Sequence, residues 1–293
     1  MVYFDHAAAT PLDERVLAEM LPYFSEQFFN PSAPYAPAVE VKRAYQNAKH
    51  RLAVCIGGQA SNIVMTAGAT ESINLMVNST AGHIVAGTIE HDAVLNAVKA
   101  REYTLVKPTE KGLITAAAVR AAIRPDTELV TIALANHELG TIQPLREIAD
   151  VVRRERRRRL EAGETTPIWL HTDASQGAGQ LDLQVSRLGI DAMTLNAGKI
   201  YGPKQVGLLW HNSALRLRPF IYGGGQERGL RGGTENVAGA VGFAKALELA
   251  QKHRQSETKR LAQLRDEIQA TLRAAIPQTV VSGDAVIDRK SVV

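Results

Sequence analysis

An α/β fold built on a largely parallel sheet is the class this 293-residue sequence predicts, and three observations predict it. Short apolar, β-branched runs recur through the middle of the chain, segments with helical spacing separate them, and polar clusters follow the runs at their C-terminal ends. Forty-five per cent apolar and 22% charged residues is ordinary globular composition, and the length suffices for one large domain or two smaller ones.

Taken in order, the runs are "NIVMT", "GHIVAGT", "LVTIALA", "PIWLHTD", "DAMTLNA" and "VGLLWH". The first five lead into "AGATES", "IEHDAV", "NHELG", "DASQG" and "NAGK". Ligands of such sheets collect beyond the C-terminal strand ends, so the chemistry is expected at that edge. Downstream, "SETKRLAQLRDEIQATLRAAIP" places Leu261, Leu264, Ile268, Leu272 and Ile276 at amphipathic-helix spacing before Pro277, and predicts a helix covering a further layer. The stretch from Thr279, "TVVSGDAVIDRKSVV", starts like a strand and turn.

Composition also narrows the partners. Thirty-four basic against thirty acidic residues is too small an excess to point to nucleic acid or a membrane. The run "RRERRRR" (153–159) spreads its arginines over all sides of a helix and predicts a solvated helix end, with attraction of an acidic partner as the other reading. One cysteine, Cys55, excludes an internal disulfide and a multi-cysteine metal site, and is expected to be a small structural thiol in a reducing compartment. No signal-like start and no stretch of ~18 apolar residues is present, so the cytoplasm is the expected location and no metal is expected.

The clusters carry chemistry. Gly68, Ala69 and Thr70 would open a helix whose free N–H groups hold a phosphate dianion. Asp173, at a strand end, needs a positive partner, which a protonated pyridine nitrogen would supply. His91 could stack on a ring and move protons. Lys199, between glycines and near apolar residues, could be a desolvated amine that condenses with a carbonyl. Each has a plainer reading: Thr70 as an N-cap, Asp173 as a capping carboxylate, His91 as a structural histidine, Lys199 as a solvated loop lysine. In the order Thr70, His91, Asp173, Lys199 they fit pyridoxal 5′-phosphate (PLP).

Seven motifs then resemble the cysteine desulfurases of the class V aminotransferase group, PLP enzymes of fold type I: "YFDHAAATP", "NPSA", "TAGATESIN", "EHDAVL", "HTDASQ", "GKIYGPK" and "GGGQERGLRGGTEN". The resemblance implies a PLP-binding large domain over residues 11–250, with a mainly parallel sheet between helices. It also implies an incomplete small α/β domain formed by residues 1–10 with 251–293. It implies that Lys199 forms the aldimine, Asp173 pairs with the pyridine nitrogen, Gln176 bonds the phenolic oxygen and His91 stacks on the ring. Ala69 and Thr70 would bind the phosphate, and Thr234 would reach the phosphate of the partner in a homodimer.

Some positions depart from the family pattern. His137 stands where an asparagine usually contacts the cofactor. Asn196, Ala197 and Gly198 stand where a serine, a small residue and a histidine are common, so Asn196 and the Gly198 backbone are left to serve the phosphate. Family members continue into a segment bearing the persulfide-forming cysteine and a carboxylate-binding arginine. The expected activity is therefore removal of sulfur from L-cysteine to give alanine, with a thiol or polypeptide segment supplied from elsewhere. Another PLP-dependent lyase or aminotransferase, and an inactive dimeric binding relative, are the alternatives.

Overall fold

A computed structural model of the chain describes residues 2–283. It opens with α1 (Glu14–Met20), α2 (Pro22–Ser25) and α3 (Ala36–Ile56), the last stopped by Gly57 in the left-handed region, φ 66°. Strands and helices then alternate: β1 (Ile63–Thr66), α4 (Ala69–Asn78), β2 (His83–Gly87), α5 (Asp92–Val98), β3 (Tyr103–Val106), α6 (Ala116–Ala122) and β4 (Thr127–Thr131). The alternation continues through α7 (Leu145–Glu161), β5 (Trp169–Asp173), α8 (Val185–Leu188), β6 (Ala192–Asn196) and β7 (Gly207–His211), and α9 (Val237–Ala275) follows.

All six apolar runs are strands. The seventh, β3, escapes the sequence pattern because it is an edge strand, with Tyr103 and Leu105 exposed. The sheet order is β1-β7-β6-β5-β4-β2-β3. Pairs β2/β3, β2/β4, β4/β5 and β5/β6 are parallel, while β7 runs antiparallel to both β1 and β6. Six strands therefore share one direction, and the polar clusters after β1, β2, β4, β5 and β6 converge on one sheet edge.

Strand pleating divides the core in two. On β1, Ile63 and Met65 face one cluster, with α1, α3, α7 and α9, while Val64 faces the other, with α4 and α5. Each large aliphatic side chain so buried contributes roughly 1.5–3 kcal/mol. The sheet is thus sandwiched between helices.

Helix α9 runs unbroken through residue 250. Phe243 and Leu247 in its first turns are buried, but Leu264, Ile268, Leu272 and Ile276 stay 39–51% exposed, so this stripe covers no further layer among the described residues. Residues 279–282 form neither strand nor helix, contrary to the strand-like pattern there, because no strand among the described residues pairs with them; the rest of that pattern lies outside the described residues.

The arginine run is not simply a solvated helix end. Arg159 is 2% exposed, and its guanidinium donates to Glu155 and to the carbonyls of Thr127, Thr166, Pro167 and Arg124. Arg156 pairs with Asp191 over the Trp169 ring, and Arg158 with Glu155 and Glu164. These cations tie the C-terminal end of α7 to the start of β4 and β5, which neutralises much of the local charge.

The loop between β7 and α9 is pinned from within. The Glu227 carboxylate, 8% exposed, accepts from Tyr45 Oη (2.6 Å), Lys49 Nζ (2.8 Å) and the Met65 backbone N–H (2.9 Å). Glu227 and Arg228 both adopt left-handed backbone angles, φ 47° and 59°, which non-glycine residues hold only under tertiary constraint.

Candidate active site

At the converged sheet edge lies a cavity of about 640 Å³, lined by residues including Ala7, His137, Ser175, Gln176, Lys199 and Tyr201. Lys199 ends a short 3-10 turn that begins as β6 finishes, and Asn196 Oδ1 caps this turn by accepting the Gly198 N–H at 3.1 Å. The Lys199 ammonium donates to the carbonyls of Ala7 (3.1 Å) and Ala8 (2.8 Å). Burial pushes its pKa below that of an ordinary lysine, opposed by the carboxylates of Asp173 and Asp5. This is neither a freely solvated loop lysine nor an inert buried one.

Asp173 closes β5 and accepts the Ser175 N–H at 2.9 Å. Two residues earlier on the strand, His171 is buried between two hydroxyls, Thr131 Oγ1 at 2.8 Å and Thr194 Oγ1 at 2.9 Å. Burial pushes its pKa down to about 4, with Asp173 pulling the other way, so the ring is neutral at physiological pH. Gln176 Nε2 donates to Ala7 O at 2.8 Å.

His91 is the N-cap of α5: its Nδ1 accepts the Ala93 N–H at 3.0 Å, which places the proton of the neutral ring on Nε2. Its ring lies 5.2 Å from that of His137, so the loops after β2 and β4 meet as the cluster order predicts. Asn136 joins them. Its Oδ1 accepts from the N–H groups of Glu138 and Leu139, and its Nδ2 donates to Ile89 O at 2.7 Å. Sequence reasoning passed over Asn136 in favour of its neighbour; an asparagine opening a loop was the available signal.

Glu90 was also missed. It is buried, and both its oxygens lie within 3.1 Å of the Ala133 N–H. Burial pushes its pKa up to about 8, and Asp173 adds to the rise. An acid whose folded-state pKa is raised loses stability as pH climbs from its unfolded value, about 4.5, through about 8. His171 has the opposite sign, losing stability as pH falls from 6.5 through about 4. Glu90→Gln is therefore expected to flatten the alkaline side: denaturant unfolding at pH 5 and pH 8 should show its stability relative to the parent rising by on the order of 2 kcal/mol at the higher pH.

The turn after β1 leads into a helix start without a side-chain cap. Gly68, φ 113°, is the N-cap of α4 in place of Thr70, and among the described residues no side chain caps the first N–H groups of the helix. A Cβ on Gly207 would come within 2.6 Å of the Gly68 backbone, so the lack of one lets β7 approach this turn. Ala69 and Thr70 are the first two helical residues, Thr70 exposed. Glu71 accepts the Ala67 N–H and pairs with Arg231 at 2.9 Å, which anchors the turn to the loop carrying Thr234. Thr234 is exposed and does not line the cavity.

These residues fit PLP. The edge brings together a partly buried amine, a carboxylate at a strand end and an uncapped helix start. The Ser175 hydroxyl, buried at the cavity, has no partner among the described residues. No cluster of metal-ligating side chains occurs among them, and no helix is long and apolar enough to cross a membrane.

Known proteins agree with this geometry. The aminotransferase class-V family model matches residues 2–293. A cysteine desulfurase, IscS 1 of Archaeoglobus fulgidus, is 39% identical over 280 residues, covering 92% of this chain and 70% of that relative. A solved NifS-like protein superposes with a TM-score of 0.90 at 31% identity, over 98% of this chain and 79% of its own. The structure of SspA in complex with cysteine is 39% identical with a TM-score of 0.77, over 85% of this chain and 72% of its own. The sheet, the edge where its clusters meet and these matches lead to one assignment: the chain belongs to the aminotransferase class-V family, within its PLP-dependent, NifS-like branch.

Proposed function

We propose that the chain is a PLP-dependent cysteine desulfurase that removes sulfur from L-cysteine and leaves alanine. The observation that carries this reading is the half-buried Lys199 amine, influenced by the Asp173 carboxylate and set at the same edge as the uncapped start of α4. Lys199 attaches the cofactor through its amine, Asp173 holds the ring nitrogen protonated, and Gln176 and His137 serve the phenolic oxygen. His91 would stack on the ring, and its Nε2, the ring nitrogen not engaged by the Ala93 N–H, would carry the exchangeable proton. Ala69, Thr70, Asn196 and the Gly198 backbone hold the phosphate. Bound PLP supplies an electron sink for the pair left when the substrate Cα–H bond breaks.

Sulfur needs an acceptor thiol. Cys55 does not line the cavity, and burial pushes its thiol up to about 11, so at neutral pH it is a poor nucleophile. The acceptor is a thiol other than Cys55, from a further polypeptide segment or a small molecule. No observation here favours a β-lyase or aminotransferase reaction instead. A reducing cytoplasm suits the lone free thiol.

The test is to load the chain with PLP and follow alanine and sulfide from cysteine, with and without an added small thiol. Alanine formation that rises with the thiol supports the reading; pyruvate or an amino form of the cofactor without alanine overturns it. The homodimer is tested at Thr234. Thr234→Val is expected to weaken PLP binding about tenfold, the loss of one charge-assisted hydrogen bond, while sedimentation still shows a dimer.

A further inference from the structure

A threonine 189 positions from Lys199 holds the turn that carries it. Thr10 is 3% exposed. Its backbone N–H and its Oγ1 both donate to the Gly198 carbonyl, at 3.2 and 3.0 Å, and the same Oγ1 accepts the Tyr201 N–H at 2.7 Å. Gly198 and Tyr201 flank the Lys199–Ile200 pair, so one buried hydroxyl grips the backbone on both sides. Tyr201 is at φ 61°, a region an aromatic residue occupies only when its surroundings impose it, and the Asp13 N–H closes the clamp on its carbonyl at 3.0 Å.

Thr10 also ends a strap, residues 5–10, that crosses the cavity. Ala7 and Ala8 on this strap present the carbonyls that accept from Lys199 Nζ, and Ala7 O accepts from Gln176 as well. The strap is folded on itself by the Tyr3 hydroxyl, which donates to Asp5 O (2.7 Å) and Ala9 O (3.0 Å).

We propose that Thr10 is a positioning residue for Lys199, locking the backbone around it and holding the Ala7 and Ala8 carbonyls where they receive its amine. Resting on the proposed function, the inference gives those carbonyls a task. With PLP bound, the Ala7 and Ala8 carbonyls would give the uncondensed Lys199 amine two acceptors on the strap, which would hold it at the site instead of letting it swing into solvent.

The test uses the full chain in two states. In the cofactor-free protein, acylation of Lys199 by a small anhydride is followed by mass spectrometry. Thr10→Val, close to the same shape without the hydroxyl, is expected to raise the rate about tenfold, the equivalent of one lost buried hydrogen bond, and Thr10→Ser to restore the parent rate. In the PLP-loaded protein, Thr10→Val should broaden or shift the visible cofactor band and Thr10→Ser should not. Thermal unfolding accompanies both. If Thr10→Val does not fold, Tyr3→Phe decides, because Tyr3 is exposed and its substitution loosens only the strap; a severalfold rise in Lys199 acylation supports the clamp. A parent-like acylation rate in the folded Thr10→Val protein, or in Tyr3→Phe if that variant decides, overturns it. Altered acylation in a chain that never develops a cofactor band leaves the clamp standing and defeats the PLP reading instead.

Discussion

Lys199→Ala is expected to abolish the visible cofactor band and to lower alanine formation from cysteine by at least ~10³-fold, since under the proposed function the variant would lose both the covalent attachment point and a proton-moving group. The physical ground is the environment of the amine. A surface lysine is almost wholly protonated at neutral pH and a poor nucleophile, whereas Lys199 is half-buried and burial holds its pKa below the ordinary value. Asp173 and Asp5 oppose that fall. Lys199→Arg separates charge from nucleophilicity. It keeps a cation at the site but cannot condense with an aldehyde, so it too should show no band, although PLP can still be retained noncovalently at the start of α4. A borohydride-fixable cofactor in either variant would show that another residue carries the attachment.

Glu227→Ala is expected to produce the largest loss of stability. Its carboxylate is the common acceptor of Tyr45, Lys49 and the Met65 N–H, all in a buried setting. Burial depresses the Lys49 pKa and raises that of Tyr45, and Glu227 offsets the first and reinforces the second. Removing the carboxylate leaves a desolvated cation and two orphaned donors, a loss of about 3–5 kcal/mol. For a chain of this size that lowers the melting temperature by on the order of 10 °C. Two further results follow from the same cause. The penalty should shrink at high pH, where Lys49 sheds its proton, and Lys49→Met in the Glu227→Ala background should recover part of the stability, as a double-mutant cycle would measure. The loop that the carboxylate anchors carries Thr234, so cofactor affinity should fall along with stability.

Much of the fold was legible because its signals are local. Six of seven strands are continuous apolar runs flanked by turn residues, and five polar clusters follow strands that share one direction. The missing strand, β3, lies at the sheet edge, where one side of the ladder is unpaired and an unbroken apolar run is not needed. The helical pattern from Ser256 was legible as a helix, but the pattern could not show that α9 begins at Val237 and carries its apolar stripe into the open. Arg159 misled for the opposite reason. A run of arginines reads as solvated, and only the packing of α7 against the starts of β4 and β5 supplies the carbonyls that let one of them be buried.

By itself the sequence determined which groups stand at the strand ends and in what order, because helix starts, strand runs and turn residues are set by near neighbours. Only the tertiary structure decided that Thr10 grips the turn of Lys199, that Glu90 lies buried near Asp173, and that Glu227 gathers donors from α3 and β1. Those contacts join residues tens to nearly two hundred positions apart. Burial, which shifts the Lys199 and Glu90 titrations, depends on how the layers stack and has no local signature in the chain.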